Sequence, residues 1–535
     1  MKKWFGLVVL ILVLGLLLPA CGKASPTPSP TAPKPAAPTT PAAAKPQSGG
    51  LLKIIVRVTI GTLGSPSEGT AVYYPMSAAP AMQNLLLNDK DGNAITTGST
   101  LAESFLMSPD GKTITLRLRK GVKFHDGTAF NAEAAKYNLQ NFTTNNVVPD
   151  YMKNVSSYEV VDEYTLRMVL KTFEPTFMSS LAKGSVGIMA SPTALKITST
   201  TESMAKDHMV GTGPFKFVSW QRDVSARYEK WSGYWEQGKP YLDVIEFNQV
   251  VDPVTSLISF RKGEAQVLVG ITPKEARELE AMGFQIAPSI SLTPISCLTP
   301  DGANPESPFA DKRVRQAVEY AIDKKAIATS LGQGYYNAVT QYATPQDARY
   351  VPGLQGRNYD PAKAKQLLAE AGYPNGFKTK LIAQTNWDRD FLQAIQTYLK
   401  QAGMDAELDM ADVARYRTFY SNGWKNGLMV HPSAAMPLSG MRMYFGPIGN
   451  NSLTYLSAYR PPGWLDKVEA AMAQVDAGKR LEQERELVKI MYDEVMGIPI
   501  SSSAFLAAQD KSVRDLDWGV GSNYIFKPQN GWLSK

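Results

Sequence analysis

The chain has 535 residues, 44% of them hydrophobic and 20% charged, with only two cysteines, Cys21 and Cys297. Its formal charge of +7 is spread over a large surface, and no segment interleaves clustered Lys and Arg with aromatics, so nucleic acid is not an expected partner. With so few thiols the fold must rest on apolar burial rather than disulfides, and the 485 residues from Leu51 onward are enough for two or three domains.

Lys2 and Lys3 precede fifteen apolar or Gly residues, Trp4 to Leu18, a run too short to span a bilayer comfortably but right for the core of a secretory signal. It ends in Leu18-Pro19-Ala20-Cys21-Gly22, which resembles the lipobox of bacterial lipoproteins. That resemblance implies cleavage after residue 20, lipid on Cys21 and attachment to a membrane. Cys297 is then the one thiol left, and removing Lys2 and Lys3 leaves 54 basic against 49 acidic residues. The 28 residues from Lys23 to Gly50 hold 8 Pro and 7 Ala and nothing large and apolar. Residues 21–50 therefore read as a lipidated tether of polyproline-like stiffness.

Leu52 to Val58 reads as a first strand. Asp110-Gly111 marks a hairpin leading into Ile114, Leu116 and Leu118, apolar at period two, and a second hairpin spans Tyr158–Leu170 with its turn near Asp162-Glu163. Helices dominate further on. Asp311 opens one with Val314, Ala317, Val318, Ala321 and Ile322 on a single face, and Asp323 opens another that ends at Gly332. Asp360-Pro361 supplies an N-cap and a first-turn Pro, with Gly372 beyond the other end. Three more helices are expected over Phe391–Ala402, Trp464–Val475 and Lys479–Val495. A tail from Pro499 is too short to fold alone and must return to a larger unit. The fold class is α/β.

Four stretches carry a family resemblance: LAESFLMSPDGKTITLRLRKGVKFHDGTAFNAEAAKYNL (Leu101–Leu139); Val210 through GTGPFKFVSW to YWEQGKPYLDVIEF, ending at Phe247; FADKRVRQAVEYAIDKKAI (Phe309–Ile327); and YDPAKAKQLLAEAGYPNGF (Tyr359–Phe377). In order and spacing the chain resembles the extracytoplasmic solute-binding proteins, family 5, that serve ABC importers of peptides, opines and nickel chelates. The resemblance implies a periplasmic-binding-protein-like fold of two lobes joined by a hinge, with the solute enclosed between them. It places lobe I at residues 51–250 and 498–535, an extra subdomain at about 75–195, and lobe II at 251–497. Crossings are expected near Val250–Pro253 and Ile498–Ser503. It also implies a monomer that hands its solute to an ABC permease and, through it, to an ATPase.

Enzymatic motifs do not hold together. Gly233 to Lys239 has the spacing of a P-loop, but Pro240 stands where the metal-binding hydroxyl belongs. Ser180-Leu181-Ala182-Lys183 and Ser203-Met204-Ala205-Lys206 lack the partner motifs of penicillin-interacting enzymes. With His only at 125, 208 and 431, neither a protein-built zinc site nor any cofactor is expected. A sensor or adhesin of the same fold is the alternative role.

In peptide-binding members of the family an acidic residue in lobe II pairs with the peptide ammonium, and the corresponding segment here, Gly427–Met436, holds no acid. From Val413 to Leu465 there is no Asp or Glu, while Arg415, Arg417, Lys425, Arg442 and Arg460 are present. A buried ammonium without a counter-charge is strongly disfavoured, so a neutral, apolar or anionic solute is expected over an ordinary peptide, with a peptide or metal chelate as the alternative. The candidate ligand contacts are Tyr73 and Tyr74 from lobe I, and Trp387, Trp424, His431, Met436, Arg442 and Tyr444 from lobe II. Met429, Met441 and Met443 are further candidates for an adaptable apolar wall.

Overall fold

The strand Leu51–Val56 turns Leu52, Ile54 and Val56 to one core and Ile55 to another. A strand buried on both faces belongs inside a sheet with parallel neighbours. In the computed structural model it pairs in parallel with Val244–Gln249 on one side and Val267–Ile271 on the other. The structure describes residues 45–535 apart from 58–59, 61–62, 65–73, 90–92, 97, 145–149, 183–185, 201–202, 289–294, 355, 386, 434–435, 448–453, 504 and 517–526. The signal, the lipobox and nearly all of the tether lie outside the described residues. The first sheet has seven strands, in the order Phe215–Gln221, Ser225–Lys230, Val244–Gln249, Leu51–Val56, Val267–Ile271, Leu506–Gln509 and Gln285–Pro288.

A second sheet of six strands runs in the order Tyr336–Ala338, Ile498–Ser503, Ile295–Pro300, Gly427–Ser433, Phe377–Gln384 and Met404–Ala411. Leu298, Leu381, Val430 and Ile500 face one core, shared with the helices Lys312–Ala321, Pro361–Glu370 and Arg389–Gln401. Ile295, Cys297, Ile382 and Met429 face the other, under Leu438–Phe445, Trp464–Ala473 and Ala477–Asp493. The Asp caps read from the sequence are in place. Asp311 accepts from the Arg313 N–H, Asp323 from Ala326 and Asp360 from Lys363. The helix expected from Phe391 starts two residues earlier, because Asp388 accepts from the Asp390 and Phe391 N–H groups.

A separate core running from Leu85 to Met189 lies under a four-stranded antiparallel sheet. Its strands are Ala102–Met107, Thr113–Leu118, Thr165–Leu170 and Val155–Asp162. The first hairpin turns at Asp110-Gly111 with Gly111 at φ +69°, the left-handed conformation that such a turn requires.

The crossings differ from expectation. Residues after Pro253 stay with the first sheet: the helices Pro253–Arg261 and Pro273–Ala281 alternate with strands that pair there. The chain passes to the second sheet between Pro288 and Ile295 and returns between Ser503 and Leu506, so the crossing expected at Val250–Pro253 is misplaced. Asp252-Pro253 is a helix start rather than a hinge, its carboxylate accepting from the Thr255 N–H. The tail rejoins the first sheet through Leu506–Gln509.

Candidate binding site between the sheets

Strand register identifies the two edges that face each other. In the first sheet Val56, Gln249, Ile271, Pro288 and Leu506 lie toward one edge. In the second, Ile295, Ser433, Gln384, Ala411 and Ser503 do so. Both crossings join these edges, and the carboxyl ends of the parallel strands open toward the gap, where α/β sheets bind ligands.

On the first edge Arg57 ties the local structure together. Its Nε donates to Ser256 Oγ (2.8 Å), Nη2 donates to the Pro253 carbonyl (3.1 Å), and the fork grips both oxygens of Glu275 at 2.7 and 2.9 Å. Burial would raise the Glu275 pKa, but Arg57 and the Thr272 N–H outweigh it and hold the carboxyl below its ordinary value. Two helix starts are thereby fixed to the end of one strand.

On the second edge the expected contacts separate into groups. Trp387 lies just beyond Gln384, half-buried, its ring 5.8 Å from that of Phe391. Met436 follows Ser433 and is buried, its N–H donating to the Tyr342 carbonyl. His431 lies one step inside the edge with no exposed surface. Its Nε2 is 2.6 Å from Thr299 Oγ1 and its Nδ1 is 3.0 Å from Tyr455 Oη. Burial pushes its pKa down to about 3, so it is a neutral packed residue. Both nitrogens are occupied by protein partners.

Trp424 precedes Gly427 at the opposite end of its strand, and its Nε1 donates back to the Gly427 carbonyl (3.2 Å). It is core, not ligand wall. Tyr444 stacks on Tyr455 with centroids 4.7 Å apart. Met429 and Met441 belong to the same core, and Met443 is half-buried. Tyr73 lies outside the described residues; Tyr74 begins the short helix Tyr74–Ala78, but its side chain is not among those described.

Two of the five basic residues, Arg415 and Arg442, are paired with acids from outside the acid-free stretch. Asp409 binds Arg415 through two hydrogen bonds of 2.6 and 2.8 Å. Arg442 donates from Nε to Glu469 (3.1 Å), and its Nη1 lies 3.7 Å from Glu174 Oε2. That removes Arg442 as a free anion receptor. Arg460 donates to the carbonyls of Phe445, Ala458 and Tyr455 at 2.8–3.1 Å, and burial lowers its pKa to about 10. Arg417 and Lys425 are exposed. Sequence reasoning missed Tyr455, whose segment carries no periodic signal, and Glu174, which is remote in the chain from Arg442.

Two sheets linked by crossings, with facing carboxyl ends and a smaller third sheet, make a two-lobed α/β fold. The chain belongs to the bacterial extracellular solute-binding proteins, family 5, whose middle-region model matches residues 97–444. It is 37% identical to the glutathione-binding protein GsiB of Pectobacterium atrosepticum over 341 residues, 62% of this chain and 64% of that protein. It is 32% identical to GsiB of Salmonella typhimurium over 456 residues, 81% and 85% of the two chains. Among solved structures it resembles the periplasmic binding protein DppA of Helicobacter pylori in complex with the peptide STSA. There the TM-score is 0.73 and the identity 22%, over 91% of this chain and 99% of that one.

Proposed function

We propose that this chain is the lipid-anchored, exported receptor of an ABC importer, closing its lobes on a small neutral or anionic solute and presenting it to a permease. The transport reading is supported by family membership and by lobes that, among the described residues, meet through crossing strands and a few side chains, the build that permits hinge closure.

The ligand reading is supported by the acids on the facing edges, most of which are already engaged. Asp252, Asp388 and Asp412 cap helices, Glu275 holds Arg57, and Asp409 holds Arg415. A peptide ammonium entering the gap meets carboxylates that are already engaged, apart from Asp390, which stands exposed beside the exposed Arg389. Glutathione, which the GsiB relatives bind, is the first candidate because its two carboxylates outweigh its single ammonium.

Calorimetry of the chain from Pro46 onward is expected to give micromolar binding of glutathione and no heat from di- to pentapeptides of ordinary linkage. Micromolar binding of several such peptides sinks the ligand reading. Cys21→Ser in cells is expected to release the protein from the membrane fraction; retention there rules out the lipid anchor.

A further inference from the structure

Among the described residues the lobes touch through side chains at two places that differ in their distance from the crossings. Close to the return crossing, Arg277 Nε donates to the Gln333 carbonyl (2.8 Å), and its guanidinium lies 4.8 Å from the centre of the Tyr335 ring. Tyr336, the next residue, pairs with Ser503, so this contact lies near the axis of any rotation about the crossings and changes little as the lobes part.

The other contact comes from the small sheet. Phe173 and Glu174 follow the strand Thr165–Leu170 and reach the helices of the second lobe. The Phe173 ring is seated against Gly111, where an added Cβ would fall 2.2 Å from a ring carbon. Arg480 of the helix Ala477–Asp493 lies over that ring with its guanidinium 5.7 Å from the centre. Glu174 is held in place by its own turn, Oε1 accepting from the Thr176 N–H (3.2 Å) and hydroxyl (2.7 Å). Its Oε2 faces Arg442 Nη1 at 3.7 Å. The carboxylate is buried although it sits in a loop at the end of its sheet.

We propose that the Phe173–Glu174 turn is an interlobe catch that favours the closed arrangement independently of solute. All its partners are protein groups, and on the second lobe they are both guanidinium ions presented on helices. A rotation that leaves Arg277 in place pulls Phe173 off Arg480 and Glu174 off Arg442. The opened state then keeps Arg442 on Glu469 and Arg480 on the Gln474 carbonyl, and loses a cation–π contact and a partly desolvated ion pair. A solute therefore has less of the closing free energy to supply, and the catch sets the fraction of open receptor available to capture it.

The test measures the distance between the lobes by electron–electron double resonance in the chain from Pro46 onward, which contains all five cores. Spin labels are placed at Lys123→Cys and Glu482→Cys, both exposed, while Cys297 is buried. Without added solute a short-distance population is expected to dominate. Phe173→Ala/Glu174→Gln is expected to raise the long-distance fraction several-fold, and Arg442→Gln/Arg480→Gln, made on the other lobe, to do the same. Combining all four substitutions should add little to either pair, because each pair removes the same contact. Unchanged distributions in both pairs, fully additive effects, or an already open parent chain would each overturn the catch.

Discussion

Replacing Glu319 with Ala is expected to destabilise the lobe built on the second sheet by about 3–5 kcal/mol, the cost of breaking a buried pair while stranding its partner. The carboxylate sits on the helix Lys312–Ala321 with 3% of its side chain exposed. One oxygen accepts from Lys324 Nζ at 3.0 Å and the other from Arg357 Nη1, so a single anion serves two cations in the interior. Without that anion both cations lose their counter-charge, and the Arg357 guanidinium is confined over the Tyr492 ring at 4.7 Å. Glu319→Gln keeps the shape and one acceptor and should fall between parent and Ala variant. Urea unfolding followed by tryptophan fluorescence reads the loss, with the two lobes fitted as separate transitions. A shift below about 1 kcal/mol for Glu319→Ala would contradict the account, since that is the size expected of an exposed pair such as Lys467–Glu486.

Tyr455→Ala should cost a comparable amount, about 3–5 kcal/mol, because it empties the centre of an aromatic cluster. The ring is nearly fully buried. Tyr444 and Tyr420 stack on it at 4.7 and 5.6 Å, and Trp424, Phe445 and His431 close round it at 6.2, 5.8 and 4.7 Å. Tyr455→Phe retains that packing and loses only the hydroxyl at His431 Nδ1, so its cost should be about 1 kcal/mol. The contrast separates packing from hydrogen bonding in circular-dichroism melts. Equal losses in the two variants would mean that the His431 contact, not the stack, holds the cluster. Either result bears on the binding edge, since His431 lies one step inside Ser433 and its position sets the strand end.

Features whose physical cause lies within a few residues were legible in the sequence. Asp311, Asp323 and Asp360 were read as helix caps because a carboxylate needs only the N–H groups two or three positions on, and the Asp110-Gly111 turn because its conformation favours Gly. Asp388 was not read as a cap, and the helix was expected to start two residues late. The acid-free stretch from Val413 to Leu465 was visible as composition, but its meaning was not. Arg415 and Arg442 find their carboxylates in Asp409, Glu469 and Glu174, all outside it.

The crossings show the same division. Val250 to Pro253 has the local signature of a strand end and a helix start, and it is both, yet it is not a passage between lobes. That was decided by Val267–Ile271 pairing in parallel with Leu51–Val56, a set of hydrogen bonds between segments some two hundred residues apart. By itself the sequence determined the family, the alternation of helix and strand, the caps and the turns, since each depends on neighbours along the chain. Only the tertiary structure decided which sheet edges face each other, which acids are already engaged there and which side chains meet across the gap, because pairing and desolvation depend on distance in space.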